Sequence, residues 1–182
     1  NGALFVEDRR LTWNFWHPED REAIEALKQS GQPSPPGGLL MRGHAFRTVF
    51  PGAAAAAAEG VVPILPAEEH YRNYFLGSDP AAWRSRVPEY AGVALQRLWP
   101  GVDLRLSAAQ GSLKYDFVLA PGVPARQVLM AWEGIKAPRV YPDRLVLRHS
   151  AGTLVERQPL AYQEINGQRI GVDCRYVDRG GG

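Results

Sequence analysis

Between residues 71 and 83 the chain gathers Tyr71, Asn73, Tyr74, Phe75, Asp79 and Trp83. Flat aromatic rings beside an amide and a carboxylate are residue types that hold sugars. A sugar offers apolar C–H faces to the rings and hydroxyl edges to the polar groups. With Trp99 added, the candidate ligand-binding residues are Tyr71, Asn73, Tyr74, Asp79, Trp83 and Trp99. The same residues also have a structural reading. The rings can fill a core while Asp79 opens the Ser-Asp-Pro turn by accepting backbone N–H groups, and turn chemistry accounts for Asn73, Gly77, Asp79 and Pro80 together. A sugar face requires at least two of Trp13, Trp16, Tyr71, Tyr74, Trp83 and Trp99 on one exposed surface.

Other candidates are sparser. Lys114 and Asp116 lie two apart in a period-two segment, so they share a strand face, where opposite charges form a solvated pair rather than a proton-transfer couple. Asp103 has no Asp-x-Asp series around it and is expected to serve a turn rather than calcium. His17, His44, His70 and His149 include no pair at the spacing of a zinc helix, and no metal site is expected. Cys174 is expected as a small buried residue on an inward strand position rather than a nucleophile. No serine-nucleophile elbow, phosphate loop or dinucleotide fingerprint occurs, and no cofactor is expected. An enzyme, for instance a hydrolase, would need two of His44, His70, Asp79, Asp103 and Asp116 to converge in a pocket.

The elements that must position these residues are mostly strands. The chain has 182 residues, with 19 glycines and 15 prolines punctuating short apolar runs. That length supports one substantial core, expected over residues 1–178, with 179–182 a linker or frayed tail. The 21 basic and 19 acidic residues are mixed along the chain, so no electrostatic footprint for nucleic acid is visible. No apolar run approaches the roughly 20 residues that span a bilayer as a helix. The chain opens without methionine in mid-pattern, as a processed or excised piece would.

Ala3–Phe15 reads as two strands around the Glu7–Arg10 turn. Trp13 and Phe15 share one face, expected to pack against a following helix rather than to form, with Trp16, an exposed platform. That helix is predicted over about 18–29: Pro18 at its first position, Glu19, Asp20 and Glu22 near its positive end, Lys28 near its negative end, and Ser30-Gly31 as its stop. Gln32–Gly38 reads as a loop, Leu39–Phe50 as a strand and Ala53–Ala58 as a surface insertion. Beyond Tyr90 the alternation sharpens at Val102/Leu104/Leu106, Leu113/Tyr115/Phe117/Leu119, Val128/Met130/Trp132 and Ile170/Val172/Cys174/Tyr176. Turn signals separate these runs, the strongest being Asn166-Gly167. The predicted fold is mostly β, an antiparallel β-sandwich or open barrel with one short surface helix.

Four ordered motifs carry a family resemblance. They are Asn73-Tyr-Phe-Leu-Gly-Ser-Asp-Pro-Ala-Ala-Trp83 followed by Val87-Pro-Glu-Tyr90, Leu98-Trp-Pro-Gly-Val-Asp-Leu104, Gly111-Ser-Leu-Lys-Tyr-Asp-Phe-Val-Leu-Ala-Pro-Gly122, and Pro159-Leu-Ala-Tyr-Gln163. Over residues 41–178 the chain resembles the N-terminal domain of bacterial SBBP-type (β-propeller repeat) surface proteins. The resemblance implies a secreted, multi-domain architecture and supplies no catalytic mechanism. The expected function is therefore a noncatalytic extracellular or cell-surface module for adhesion, domain presentation or assembly. Its partners would be neighbouring domains of the same polypeptide or other surface proteins. A carbohydrate-binding module and a hydrolase with dispersed acids and histidines are the alternatives.

Overall fold

The computed structural model describes residues 2–53, 60–64, 67–109 and 112–180, without the side chains of 67–70 and 109. In chain order the elements are β1 (Gly2–Glu7), β2 (Arg10–Trp16), α1 (Pro18–Ser30), β3 (Gly43–Val49), β4 (Val61–Pro63), β5 (Ala67–Tyr74), β6 (Arg84–Tyr90), β7 (Gly92–Trp99), β8 (Val102–Ala109) and β9 (Ser112–Leu119). They continue with β10 (Ala131–Glu133), β11 (Arg139–Tyr141), β12 (Arg144–His149), β13 (Gly152–Arg157), β14 (Ala161–Ile165) and β15 (Gln168–Val172). The fold is mostly β, with several antiparallel sheets, one helix and no closed barrel among the described residues, consistent with a β-sandwich. Backbone proximity divides the chain into two compact units, one of residues 1–5, 11–49 and 131–182, the other of 6–10 and 50–130.

The first unit holds the sheet β1-β2-β3-β10, the sheet β11-β12-β13 and the hairpin β14-β15. Its core is Leu11, Trp13, Phe46, Ile135, Leu145 and Leu147, with Thr48 the buried polar residue. Trp13 and Phe15 do share a face, but their rings stack on each other and on Phe46 of β3 rather than on the helix. Thr48 is tolerated there because its hydroxyl accepts the Trp13 indole N–H at 2.9 Å, leaving neither group unpaired.

The helix begins at Pro18 and stops where Gly31 turns left-handed at φ 65°. None of its residues is buried. Its N-terminus is instead clasped by Arg42, whose guanidinium reaches both Asp20 oxygens at 2.7 and 2.9 Å. The Arg42 backbone N–H also donates to Asp20, and its carbonyl accepts from His17 N–H. These hydrogen bonds hold the Asp20 carboxyl well below the usual carboxylate range.

The second unit holds the sheet β4-β7-β8-β9 and the ribbon β5-β6. β8 lies inside its sheet, and its alternate residues Val102, Leu104 and Leu106 are all buried, as their period-two pattern predicts. Phe50, Ala94, Leu95, Leu98 and Trp99 complete that core.

Three expected strands are shorter than their apolar patterns. The strand predicted over Leu39–Phe50 spans only Gly43–Val49, with Leu39, Leu40 and Met41 exposed. Of Val128, Met130 and Trp132, only Trp132 lies in a strand, because a turn of 3-10 helix at Ala125–Gln127 follows Pro124. β15 ends at Val172, so Cys174 and Tyr176 fall beyond it and are half-buried. The Asn166-Gly167 turn joins β14 and β15 as predicted, with φ values of 53° and 77° that suit a tight hairpin. The alanine run lies, beyond Ala53, outside the described residues.

Candidate functional site

The aromatic cluster lies on the β5-β6 ribbon and the loop that closes it. β5 and β6 pair at Tyr71↔Pro88, Arg72↔Val87 and Tyr74↔Arg84, with a register shift between Arg72 and Tyr74. Opposite that shift Arg86 adopts a left-handed φ of 54°, and the Asn73 side-chain carbonyl accepts its backbone N–H at 2.9 Å. A bulge of this kind twists a ribbon and re-aims its side chains.

Residues 75–83 close on themselves. Gly77 is left-handed, and Asp79 accepts the Ala81 N–H at 2.9 Å ahead of the short Pro80–Ala82 helix. The Trp83 indole donates to the Gly77 carbonyl at 3.2 Å, and Phe75 meets the Trp83 ring edge-on at 5.4 Å. The turn chemistry expected of Gly77, Asp79 and Pro80 is present.

The rings nevertheless do not fill a core. Tyr71, Phe75 and Trp83 are 53%, 58% and 39% exposed, Tyr74 and Leu76 are exposed beside Phe75 in sequence, and Tyr90 is exposed at the far end of β6. The Arg86 guanidinium carbon stands 5.5 Å from the Tyr71 ring centre, and Arg72 pairs with Glu89. Trp99 is different. It is 3% exposed, its indole donates to the Pro51 carbonyl at 3.0 Å, and Phe50 and Phe117 surround its ring. It offers no surface to a ligand.

The remaining candidates have local partners. Asp103 accepts the backbone N–H of Arg97, a left-handed residue at the irregular part of β7, at 2.7 Å. Asp116 pairs with Lys114 at 3.0 Å. His70 lies in β5 with its side chain outside the described residues. Among the described residues no three His, Cys, Asp or Glu groups come together as metal ligands.

A second cluster escaped sequence reasoning. His44 of β3 and His149 of β12 approach to 5.5 Å between ring centres, beside Phe15 and Phe46. His44 Nε2 lies 3.0 Å from the Gly134 carbonyl and Nδ1 lies 3.1 Å from the Ser150 hydroxyl. A carbonyl only accepts, so Nε2 donates to Gly134. The imidazole thus ties the turn after β12 to β3 and to the chain leaving β10. His149 Nδ1 is buried with no hydrogen-bond partner among the described residues. Burial and, secondarily, the nearby His44 push His149 below the ordinary histidine range. No local signal could have joined residues so far apart in sequence.

A family model described as a domain of unknown function (DUF7948) matches residues 1–182, and the chain belongs to that family. No curated protein and no solved structure matches the chain.

Proposed function

We propose that this DUF7948 chain is a noncatalytic module of a bacterial secreted or cell-surface protein, and that its β5-β6 ribbon is the face that binds a protein partner. The observation that carries this reading is the set of exposed Tyr71, Tyr74, Phe75 and Trp83 rings beside Arg72 and Arg86. Tyrosine, tryptophan and arginine dominate the energetic centres of protein interfaces, and exposed apolar clusters of this kind mark interaction surfaces. The Asn73 carbonyl and one Asp79 oxygen are engaged by the chain's own backbone. Polar groups so engaged favour an apolar and cationic contact over recognition of hydroxyl edges. The four motifs resembling SBBP-type proteins support a neighbouring domain of the same polypeptide, or another surface protein, as that partner.

The exposure of Tyr71 and Tyr74 on one ribbon, with Trp83 in its closing loop, also favours a second reading, a carbohydrate-binding face. One screen separates the two. Glycans and the neighbouring domains of the parent polypeptide are presented to wild type and to folded Trp83→Ala and Tyr74→Ala variants. Binding to a protein domain that falls at least tenfold in both variants is the expected result. Glycan binding lost in both would establish the second reading, and binding indifferent to both would remove the ribbon from either.

A further inference from the structure

The register of the β5-β6 ribbon sorts its side chains between two faces. From the pair Arg72↔Val87 to the pair Tyr74↔Arg84 the chain advances two residues on β5 and three on β6. The extra residue therefore lies in β6, where Arg86 is left-handed, and β5 keeps its alternation. Tyr71 and Tyr74, three positions apart on β5, consequently point to opposite faces. The contacts agree with this sorting. The Arg86 guanidinium stands over the Tyr71 ring at 5.5 Å, and Arg72, on the face of Tyr74, pairs with Glu89.

Neither face is covered by the rest of the chain. Every residue from Tyr71 to Arg86 is exposed, Phe75 and Leu76 of the closing loop included. A partner that docks flat covers one face of such a ribbon and leaves the other ring in water, whereas a cleft encloses both. A two-stranded ribbon is marginally stable by itself, so enclosure from two sides stabilises it more than contact on one. Enclosure also sets a condition on charge, because a cation taken out of water must be paired. Arg72 has Glu89, and Arg84 donates to the Ala81 and Trp83 carbonyls at 2.9 and 2.8 Å. The Arg86 side chain has only the Tyr71 ring among the described residues, so its carboxylate has to come from outside.

We propose that the ribbon enters a cleft of its protein partner. One wall sets a carboxylate against Arg86 beside Tyr71, the other lays apolar side chains on Tyr74, and Phe75 and Leu76 lie at the bottom. This fit rests on the ribbon being a protein-binding element and adds how the partner holds it. It buries rings and a guanidinium together, the combination that concentrates binding energy at the centre of an interface.

Crosslinking from the two faces in turn tests it. In cells that express the protein, a photoreactive phenylalanine analogue replaces Tyr71 or Tyr74, and the adducts are sequenced by mass spectrometry. Both positions are expected to capture the same protein at two different segments, the one taken by Tyr71 carrying Asp or Glu. Arg86→Glu is expected to lower both yields at least about tenfold, the loss that follows when a buried charge meets its like. Arg86→Lys keeps the charge and is expected to lose less. Adducts from one position only, from both to a single segment, or to two different proteins overturn the cleft and leave the ribbon a one-sided contact. No adduct from either position removes the ribbon as a binding element, and the cleft with it. Yields unchanged by Arg86→Glu in a chain with wild-type circular dichroism, or lowered equally by Arg86→Lys, overturn the carboxylate wall.

Discussion

Trp83 and Trp99 show how little a residue's type says about its environment. Trp99 is enclosed by Phe50 and Phe117 with its indole satisfied by Pro51. Trp83 lies in an exposed loop. Trp99→Ala is expected to cost about 3–5 kcal/mol through lost burial and the cavity left behind. Trp83→Ala should cost about 1 kcal/mol, as a partly exposed position does. Urea unfolding of the two variants checks this difference, and equal losses would contradict it. His149 makes a different kind of statement. Its depressed pKa means that the folded protein binds fewer protons than the unfolded chain below pH ~6.5, the ordinary histidine value. Its contribution to stability is therefore intact above that pH and falls as the solution is acidified. His149→Phe keeps a ring against Phe15, at 4.7 Å in wild type, and removes both the titration and the unpartnered Nδ1. Its melting temperature should exceed that of wild type at pH 5 and depend less on pH between 7 and 5. An unchanged pH profile would assign the acid sensitivity to other groups.

Elements were legible where the determining interaction is local. The β14-β15 hairpin follows from two adjacent residues able to take positive φ, and α1 from a proline start, early acids and a glycine stop. β8 follows from strict alternation, because one sheet surface meets a core. The ends of β3 and β10 did not follow, since apolar residues also occupy exposed or irregular backbone at Leu40 and Met130. Glycines separate into kinds that sequence does not distinguish. Gly101 and Gly122 are both left-handed, at φ 72° and 83°. A Cβ on Gly101 would stand 2.7 Å from Val123 Cγ2, whereas one on Gly122 meets nothing within 4 Å. Gly122→Ala should cost about 1–2 kcal/mol, from backbone conformation alone. Gly101→Ala adds overpacking and should cost roughly 1–3 kcal/mol more. Thermal or chemical unfolding of the pair measures the difference, and equal costs would mean that Val123 moves aside freely.

At the scale of the whole molecule, the sequence established the mostly β class, while the exposure of the aromatic candidates came only with the structure. The residues of the aromatic ribbon were visible as a motif, and the turn role of Asp79 with them, but the bond from the Arg86 N–H to Asn73 came only with the bulge. Trp99 belonged to the motif set yet lies in the core, and the His44–His149 pair had no sequence signal at all. Contacts between residues distant in sequence, rather than local propensity, decide the last two.

The proposal that the β5-β6 ribbon faces a protein partner is open to a direct test. Site-specific photo-crosslinking in cells that express the protein addresses it, with the reactive group at Tyr74 and a control at Lys28 of the exposed helix. A discrete adduct with a protein segment is expected from Tyr74, reduced by Trp83→Ala, and none from Lys28. No adduct at Tyr74, or the same adducts from both positions, would contradict it.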